Sequence, residues 1–296
     1  CACLGLTLGS TCLSFRVSDF LGRRLVECRL NWDTIKSTAS LLSIVSLGDV
    51  LNVEEVDPQY ESALTVCSAG GLTGAISFFL VALSAYRLRC TGEEFWKRFA
   101  QHYLEVGRFL GPVNAALNYV LRDNCSSFLR EVKADRIRKL SSYSAMIGEL
   151  IYSCDFRKLW GLTSSVLKSD PSSKTVVFAV KMAYYCGRAL KRCNGPLPAD
   201  IPIPVDIRVA RATVNLGIIP GLPAEEVLSK CKNEVIEAWR IIGEETGIPP
   251  IHLDTLIWAL QNPSTLSKAL ARVSSSRSAE ALRKLMNAVQ GSSSMK

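Results

Sequence analysis

Apolar residues along this chain recur at three- and four-residue intervals from Asn31 almost to the end, and no convincing segment alternates with the two-residue period of a half-buried strand. The pattern predicts an all-α protein with short connections. Capping residues place the helices. NWDTIKSTASLLSIVSLGDVLNVEEV offers Asn31 or Asp33 as an N-cap and a break at Gly48. In DPQYESALTVCSAGG, Asp57 caps, Pro58 takes the first helical position, and Gly70-Gly71 stop the helix. The most apolar run, AISFFLVALSAY at 75–86, stops before Arg87 and Arg89; it is too short to span a bilayer and reads as a buried helix.

Helical patterns continue through EEFWKRFAQHYLEV, GPVNAALNYVLRDN, SSFLREVKADRIRKLSSY, SAMIGELIYSC, DFRKLWGLTSSVLKS and KTVVFAVKMAYY. After a proline-stiffened stretch come DIRVARATVNLG, PAEEVLSKCKNEVIEAWRIIGEETG and IHLDTLIWALQN, then a last helix over 276–288. The first 30 residues, opening CACLGLTLGSTCLSF, lack the basic start and small-residue cleavage site of a signal peptide and read as an extension outside the functional core. Residues 291–296 are expected to fray. No internal repeat or low-complexity tract interrupts the helices.

Composition narrows the class. A chain of 296 residues, 48% hydrophobic and 21% charged, is globular and long enough for one large domain or two modest ones. Its net charge of +8 favours a polyanionic partner, usually nucleic acid and less often an acidic membrane; an ordinary mildly basic protein is the bland alternative. Eleven cysteines are scattered without a CxxC, and only two histidines accompany them, so no zinc or iron–sulfur ligand spacing appears. The expected role of the cysteines is that of small buried hydrophobes in a reducing cell; disulfides enter only for a hyperthermophilic source.

Candidate chemistry centres on Lys174 and Asp206. Lys174 opens an apolar-periodic helix, where the helix dipole and a second cation, Lys181, both favour a neutral amine of the kind a Schiff-base nucleophile needs. Pro202 and Pro204 hold the backbone extended ahead of Asp206, which sits at the N-cap of the next helix. Taken singly, an exposed helix-start lysine and a capping aspartate are the commoner explanations. Phe178 and Lys181 share a face with Lys174, as core phenylalanine and snorkelling lysine do in many helices. Asp254 and Trp258 stand one turn apart after the GIPP turn, a carboxylate beside an indole, which suits a planar hydrogen-bonding ligand or simply a buried tryptophan. Gln59 and Trp96 are weaker candidates alone. The cluster Arg130, Lys133, Arg136, Arg138 and Lys139 either touches phosphate or is a solvated face.

Five segments then resemble a known family: DPQY at 57–60, EEFW at 93–96, KTVVFAVK at 174–181, IPIPVDIRVAR at 201–211 and TGIPPIHLDTLIW at 246–258. They are similar, in order, to the archaeal 8-oxoguanine DNA glycosylases of the AGOG family, within the helix-hairpin-helix glycosylase superfamily. The resemblance runs from about Asn31 to Gln261. It implies a helix-hairpin-helix DNA glycosylase fold, with two helical subdomains flanking a DNA-binding cleft. One subdomain would comprise 31–73 plus 195–290 and the middle one 74–194. It further implies Lys174 as nucleophile, Asp206 as catalytic aspartate, and Gln59, Trp96, Phe178, Lys181, Asp254 and Trp258 as the damaged-base pocket. No cofactor is implied. The implied partner is DNA containing 8-oxoguanine, met by a monomer with no membrane association, cytoplasmic and close to the nucleoid. One departure is the segment LTSSVLKSDPSSK before Lys174, longer than the superfamily's LPGVG-type hairpin and carrying a proline. Alternatives are a sister glycosylase with another lesion preference, a non-catalytic DNA-binding module and, more remotely, a Schiff-base enzyme acting on small carbonyl compounds.

Overall fold

A computed structural model describes residues 27–291, so most of the expected N-terminal extension and the tail beyond Gly291 lie outside the described residues. Fifteen α-helices and no strand occupy the described residues. In order they are α1 (Trp32–Leu42), α2 (Leu47–Glu54), α3 (Pro58–Ala82), α4 (Gly92–Glu105), α5 (Pro112–Arg122), α6 (Arg130–Ser141), α7 (Ser144–Tyr152) and α8 (Phe156–Leu167). They continue as α9 (Lys174–Ala189), α10 (Ile207–Asn215), α11 (Ala224–Lys230), α12 (Lys232–Thr246), α13 (Pro250–Gln261), α14 (Pro263–Leu270) and α15 (Ser276–Gln290).

Local chemistry explains most boundaries. The Asn31 side chain accepts the Thr34 N–H at 3.2 Å and starts α1. Asp57 accepts the Gln59 N–H at 2.9 Å, with Pro58 in the first turn of α3. The break expected at Gly48 falls earlier, because the Ser46 hydroxyl accepts the Asp49 N–H at 3.0 Å and Gly48 then lies inside α2. Gly71 does interrupt α3: its backbone adopts φ 54° and ψ −135°, a conformation open to glycine, so two helical segments join there. The stretch 224–246 divides at Cys231 into α11 and α12.

The apolar faces of these helices build two cores. The first is centred on α3, α4, α5 and α9 and contains Phe78, Phe79, Trp96, Phe99, Val180 and Tyr184. The second, from α1, α2 and α10–α15, contains Ile35, Val50, Val209, Trp239, Leu256 and Leu282. Apart from Ile251 of α13, which packs into the first core, the changeovers along the chain fall between Val53 and Ala63 and between Ile201 and Ile203. The first lies before the expected 73/74 boundary, because α3 packs along α9 and carries Ala63, Val66 and Cys67 into the first core. By length and composition α3 could cross a bilayer, but Ala75, Phe78, Phe79, Leu80 and Val81 within it are fully buried in that core.

The cysteines depart from expectation. Disulfides link Cys28–Cys231, Cys90–Cys125 and Cys154–Cys193, with Cα–Cα distances of 5.5, 5.3 and 5.8 Å. Only Cys67 and Cys186, among the described cysteines, are the free buried thiols expected. The partners are 203, 35 and 39 residues apart in sequence, so only tertiary packing pairs them.

A buried polar network stitches the two cores together. Arg188 of α9 donates to Glu54 of α2 at 3.0 Å, and Glu54 lies 2.7 Å from Nδ1 of His252 on α13. Nε2 of His252 accepts the Leu197 N–H at 2.9 Å, which leaves the ring proton on Nδ1 to be donated to Glu54. Charges buried this deeply persist only when paired, and the pairing fixes α9 against α2 and α13.

Candidate active site

The N-termini of α9 and α10 meet at the seam between the cores. Lys174 is the first residue of α9, directly after the hairpin at 168–173 that follows α8. Asp170 closes that hairpin by accepting the Ser172 N–H at 2.7 Å and the Ser172 hydroxyl at 2.8 Å, and the Trp160 indole N–H donates to the Pro171 carbonyl at 2.8 Å. The turn that departs from the LPGVG pattern is thus held by side chains of its own.

Asp206 caps α10. One carboxylate oxygen accepts the Arg208 and Val209 N–H groups at 2.9 and 3.2 Å, and the other accepts Lys174 Nζ at 2.8 Å. Burial pushes the Asp206 pKa up, but the Lys174 charge, its hydrogen bond, the Val209 capping amide and the Arg208 charge outweigh it and hold the carboxyl below its ordinary value. The Lys174 side chain is 43% exposed, so the amine remains open to a large ligand while its partner is fixed.

A cavity of about 290 Å³ opens beside this pair, and all eight residues singled out in the sequence line it. Gln59 comes from the first turn of α3, Trp96 from α4, Phe178 and Lys181 from α9, and Asp254 and Trp258 from α13. The walls therefore come from both cores. The Trp96 ring stacks on Phe78 at 4.4 Å and lies 6.2 Å from the Phe178 ring. Trp258 is 8% exposed and Phe178 partly buried, so both present only part of an aromatic surface to the cavity. Lys181 does not act on Lys174 as a free second cation. Its Nζ pairs with Asp254 at 2.5 Å in the cavity floor. Burial disfavours the charged Lys181, but Asp254, Asp57 and Glu54 overcome that penalty and raise its pKa.

Part of this wall carries no clear signal in the sequence. Asp57, legible there only as a helix cap, and Thr255 line the cavity floor, while Pro204 and Arg208 flank Asp206. The loop after α3 contributes Ala85, Tyr86, Arg87, Leu88 and Cys90 to the rim. It is held by the Cys90–Cys125 disulfide and by the Arg89 N–H donating to the Cys125 carbonyl at 2.9 Å. An irregular loop has no periodicity, so nothing along the chain marks it as part of a site. The basic cluster of α6 proves heterogeneous. Lys133 is fully buried, its ammonium 5.2 Å from the Tyr86 ring, whereas exposed Arg138 and Lys139 pair with Glu131 and Asp135. Burial, helped by Arg130, brings the Lys133 pKa down to about 8.

Comparison with known proteins agrees with this geometry. The family model AGOG, described as N-glycosylase/DNA lyase, matches residues 39–290. The N-glycosylase/DNA lyase of Pyrobaculum aerophilum is 34% identical over 235 residues, 76% of this chain and 84% of that protein. The corresponding protein of Aeropyrum pernix is 32% identical over 243 residues, covering 78% and 83%. Among solved structures, the 8-oxoguanosine complex of Pa-AGOG, the 8-oxoguanine DNA glycosylase from Pyrobaculum aerophilum, superposes with a TM-score of 0.69 at 29% identity, over 85% of this chain and 96% of that one. The fold is that of an all-helical DNA glycosylase. The chain belongs to the AGOG family of N-glycosylase/DNA lyases.

Proposed function

We propose that this protein is a bifunctional repair enzyme that flips 8-oxoguanine out of duplex DNA, releases it, and cleaves the strand at the resulting abasic site. The observation that carries this reading is the Lys174–Asp206 pair, 2.8 Å apart at the mouth of a cavity walled by Trp96, Phe178 and Trp258. An extruded base finds aromatic surface for stacking and polar groups for its edge in Gln59, Lys181 and Asp254. The structural neighbour with 8-oxoguanosine bound supports the choice of lesion.

In the reaction, the neutral amine of Lys174 attacks C1′ of the damaged nucleotide while the bond from C1′ to the base breaks. The departing base leaves with the bond's electron pair and takes up a proton. Asp206, an anion while that bond breaks, stabilises positive charge developing on the sugar and then accepts the proton that the substituted Lys174 nitrogen sheds. Opening of the sugar ring gives an imine between Lys174 and C1′. Loss of a C2′ proton from that imine expels the 3′ phosphate by β-elimination and cuts the strand. The net charge of +8 supports a salt-sensitive grip on the DNA backbone. The protein acts as a monomer on intracellular DNA in this reading.

Incubation with an 8-oxoguanine duplex and borohydride is expected to trap a covalent protein–DNA adduct that Lys174→Ala does not form. Base release by the Lys174→Ala protein at the native rate would overturn the assignment. An adduct with another damaged base but none with 8-oxoguanine would shift the reading to a sister glycosylase.

A further inference from the structure

Of the three carboxylates in the cavity wall, Asp206 and Asp254 have roles in the proposed reaction and Asp57 has none. Asp57 is 3% exposed and joins three elements. One of its oxygens accepts the Gln59 N–H of α3 at 2.9 Å, and the other accepts the Tyr185 hydroxyl of α9 at 3.0 Å. The Tyr185 oxygen lies 3.1 Å from Thr255 Oγ1 on α13 and, having given its own proton to Asp57, takes the proton of Thr255. Lys181 and Asp254, the floor pair, act electrostatically on the same carboxylate. Two carboxylates thus face one ammonium, and the floor carries one net negative charge. Glu54, the next carboxylate behind them on α2, is matched by Arg188 and by its hydrogen bond with His252.

We propose that Asp57 is a specificity-determining residue of the base pocket: its charge, in excess of the Lys181–Asp254 pair, selects a base edge that presents an N–H donor over one that presents a lone pair in the same place. The proposal rests on the 8-oxoguanine reading of the site. Oxidation at C8 of guanine turns N7 from a lone-pair acceptor into an N–H donor. A floor with surplus negative charge attracts the donor and repels the lone pair, and a low-dielectric site sharpens the difference. Burial pushes the Asp57 pKa up to about 6, with Lys181 opposing and Asp254 adding to the rise, so the surplus charge is present above that pH and lost below it. Burial keeps the Tyr185 proton in place, and Asp254, Asp57 and Glu54 keep that of Lys181.

Asp57→Asn removes the charge and spares the scaffold. Its amide oxygen can still accept the Gln59 N–H, and its amide nitrogen donates to Tyr185, whose own proton turns towards Thr255. The test measures single-turnover release of 8-oxoguanine, and borohydride trapping on DNA with a preformed abasic site, across a pH series. The abasic site brings no base to the pocket. In Asp57→Asn the ratio of base release to abasic trapping is expected to fall on the order of tenfold at neutral pH, the size of one lost charge-assisted discrimination. The ratio of base release to abasic trapping in the native protein should decline as pH falls through about 6, and that decline should vanish in the variant. An unchanged ratio, an equal loss of both steps, or an acid decline of the ratio that persists in the variant would each overturn the role. Should the native protein trap abasic DNA yet release no 8-oxoguanine, the substrate reading fails and this one with it. If the native protein releases 8-oxoguanine and Asp57→Asn matches it, only the role of Asp57 falls.

Discussion

Two lysine–aspartate pairs bridge the same two cores from one helix. Lys174 and Lys181 stand seven residues apart on α9, and each meets an aspartate from the other side of the seam, Asp206 and Asp254. The contacts are chemically alike, at 2.8 and 2.5 Å, but the lysine side chains are 43% and 2% exposed. An exposed pair is worth little to stability, about 0–1 kcal/mol, because water and salt compete with it. A buried pair holds desolvated charge that becomes costly once either partner is removed. The same kit therefore serves an open, reactive amine at the mouth and a fixed element of the floor. Residue type does not separate the two; depth does.

The largest expected effect that can break this contrast comes from Lys174→Ala. It should lower base release and borohydride trapping by about 10⁴-fold or more, as loss of a nucleophile does. Its thermal unfolding should shift little, within the roughly ±0.5 kcal/mol typical of surface substitutions. A strongly destabilised Lys174→Ala protein would mean that the outer pair is structural as well. Asp206→Asn should slow the chemical step about 10²- to 10⁴-fold in single-turnover kinetics while lesion binding persists. Equal loss of binding would place Asp206 in substrate recognition instead.

Lys181→Met tests the inner pair. It should destabilise the fold by about 3 kcal/mol in denaturant unfolding, because Asp254 loses the cation that offsets its partial burial. A neutral outcome would show that water reaches the floor and that the contrast in depth carries no energetic weight. Trp258→Ala should weaken binding of DNA with a flipped base by about 1–3 kcal/mol in equilibrium titrations, the scale of one base–aromatic stack. The smallest effect concerns acid. The Asp206 pKa is lowered in the folded protein, so its contribution to stability is complete above the unfolded value near 3.8 and disappears as pH falls through the lower folded value. Asp206→Asn should therefore flatten the acid end of a stability–pH curve slightly, and a change near neutral pH would contradict the pairing.

Much of the site is legible in the amino-acid sequence. The caps at Asn31, Asp57 and Asp206 are local chemistry, and each forms the bonds its position suggests. All eight candidate side chains line one cavity; taken singly each has a bland explanation, and it is the family resemblance carried by motifs such as IPIPVDIRVAR and GIPPIHLDTLIW that groups them. The cysteines defeat the same reasoning for the opposite cause. Cys28 and Cys231 are separated by 203 residues, and nothing local to either signals the other. Lys133 belongs by sequence with its basic neighbours on α6, yet it turns inward beneath Tyr86. Charge periodicity reports which residues are ionisable and not which side of a helix a neighbouring loop will cover.

The helical class, the helix starts, and the identity of the lysine and the aspartate that open α9 and α10 all follow from the order of residues along the chain. They rest on short-range effects: apolar periodicity, side-chain caps and proline stiffness act within a few residues. Long-range packing alone assigns Lys181 to the floor and Lys174 to the mouth, sets Asp57 as a second carboxylate beneath the pocket, and ties the rim through Cys90. Burial and charge pairing depend on what the other core brings across the seam, and that partner lies tens to hundreds of residues away along the chain.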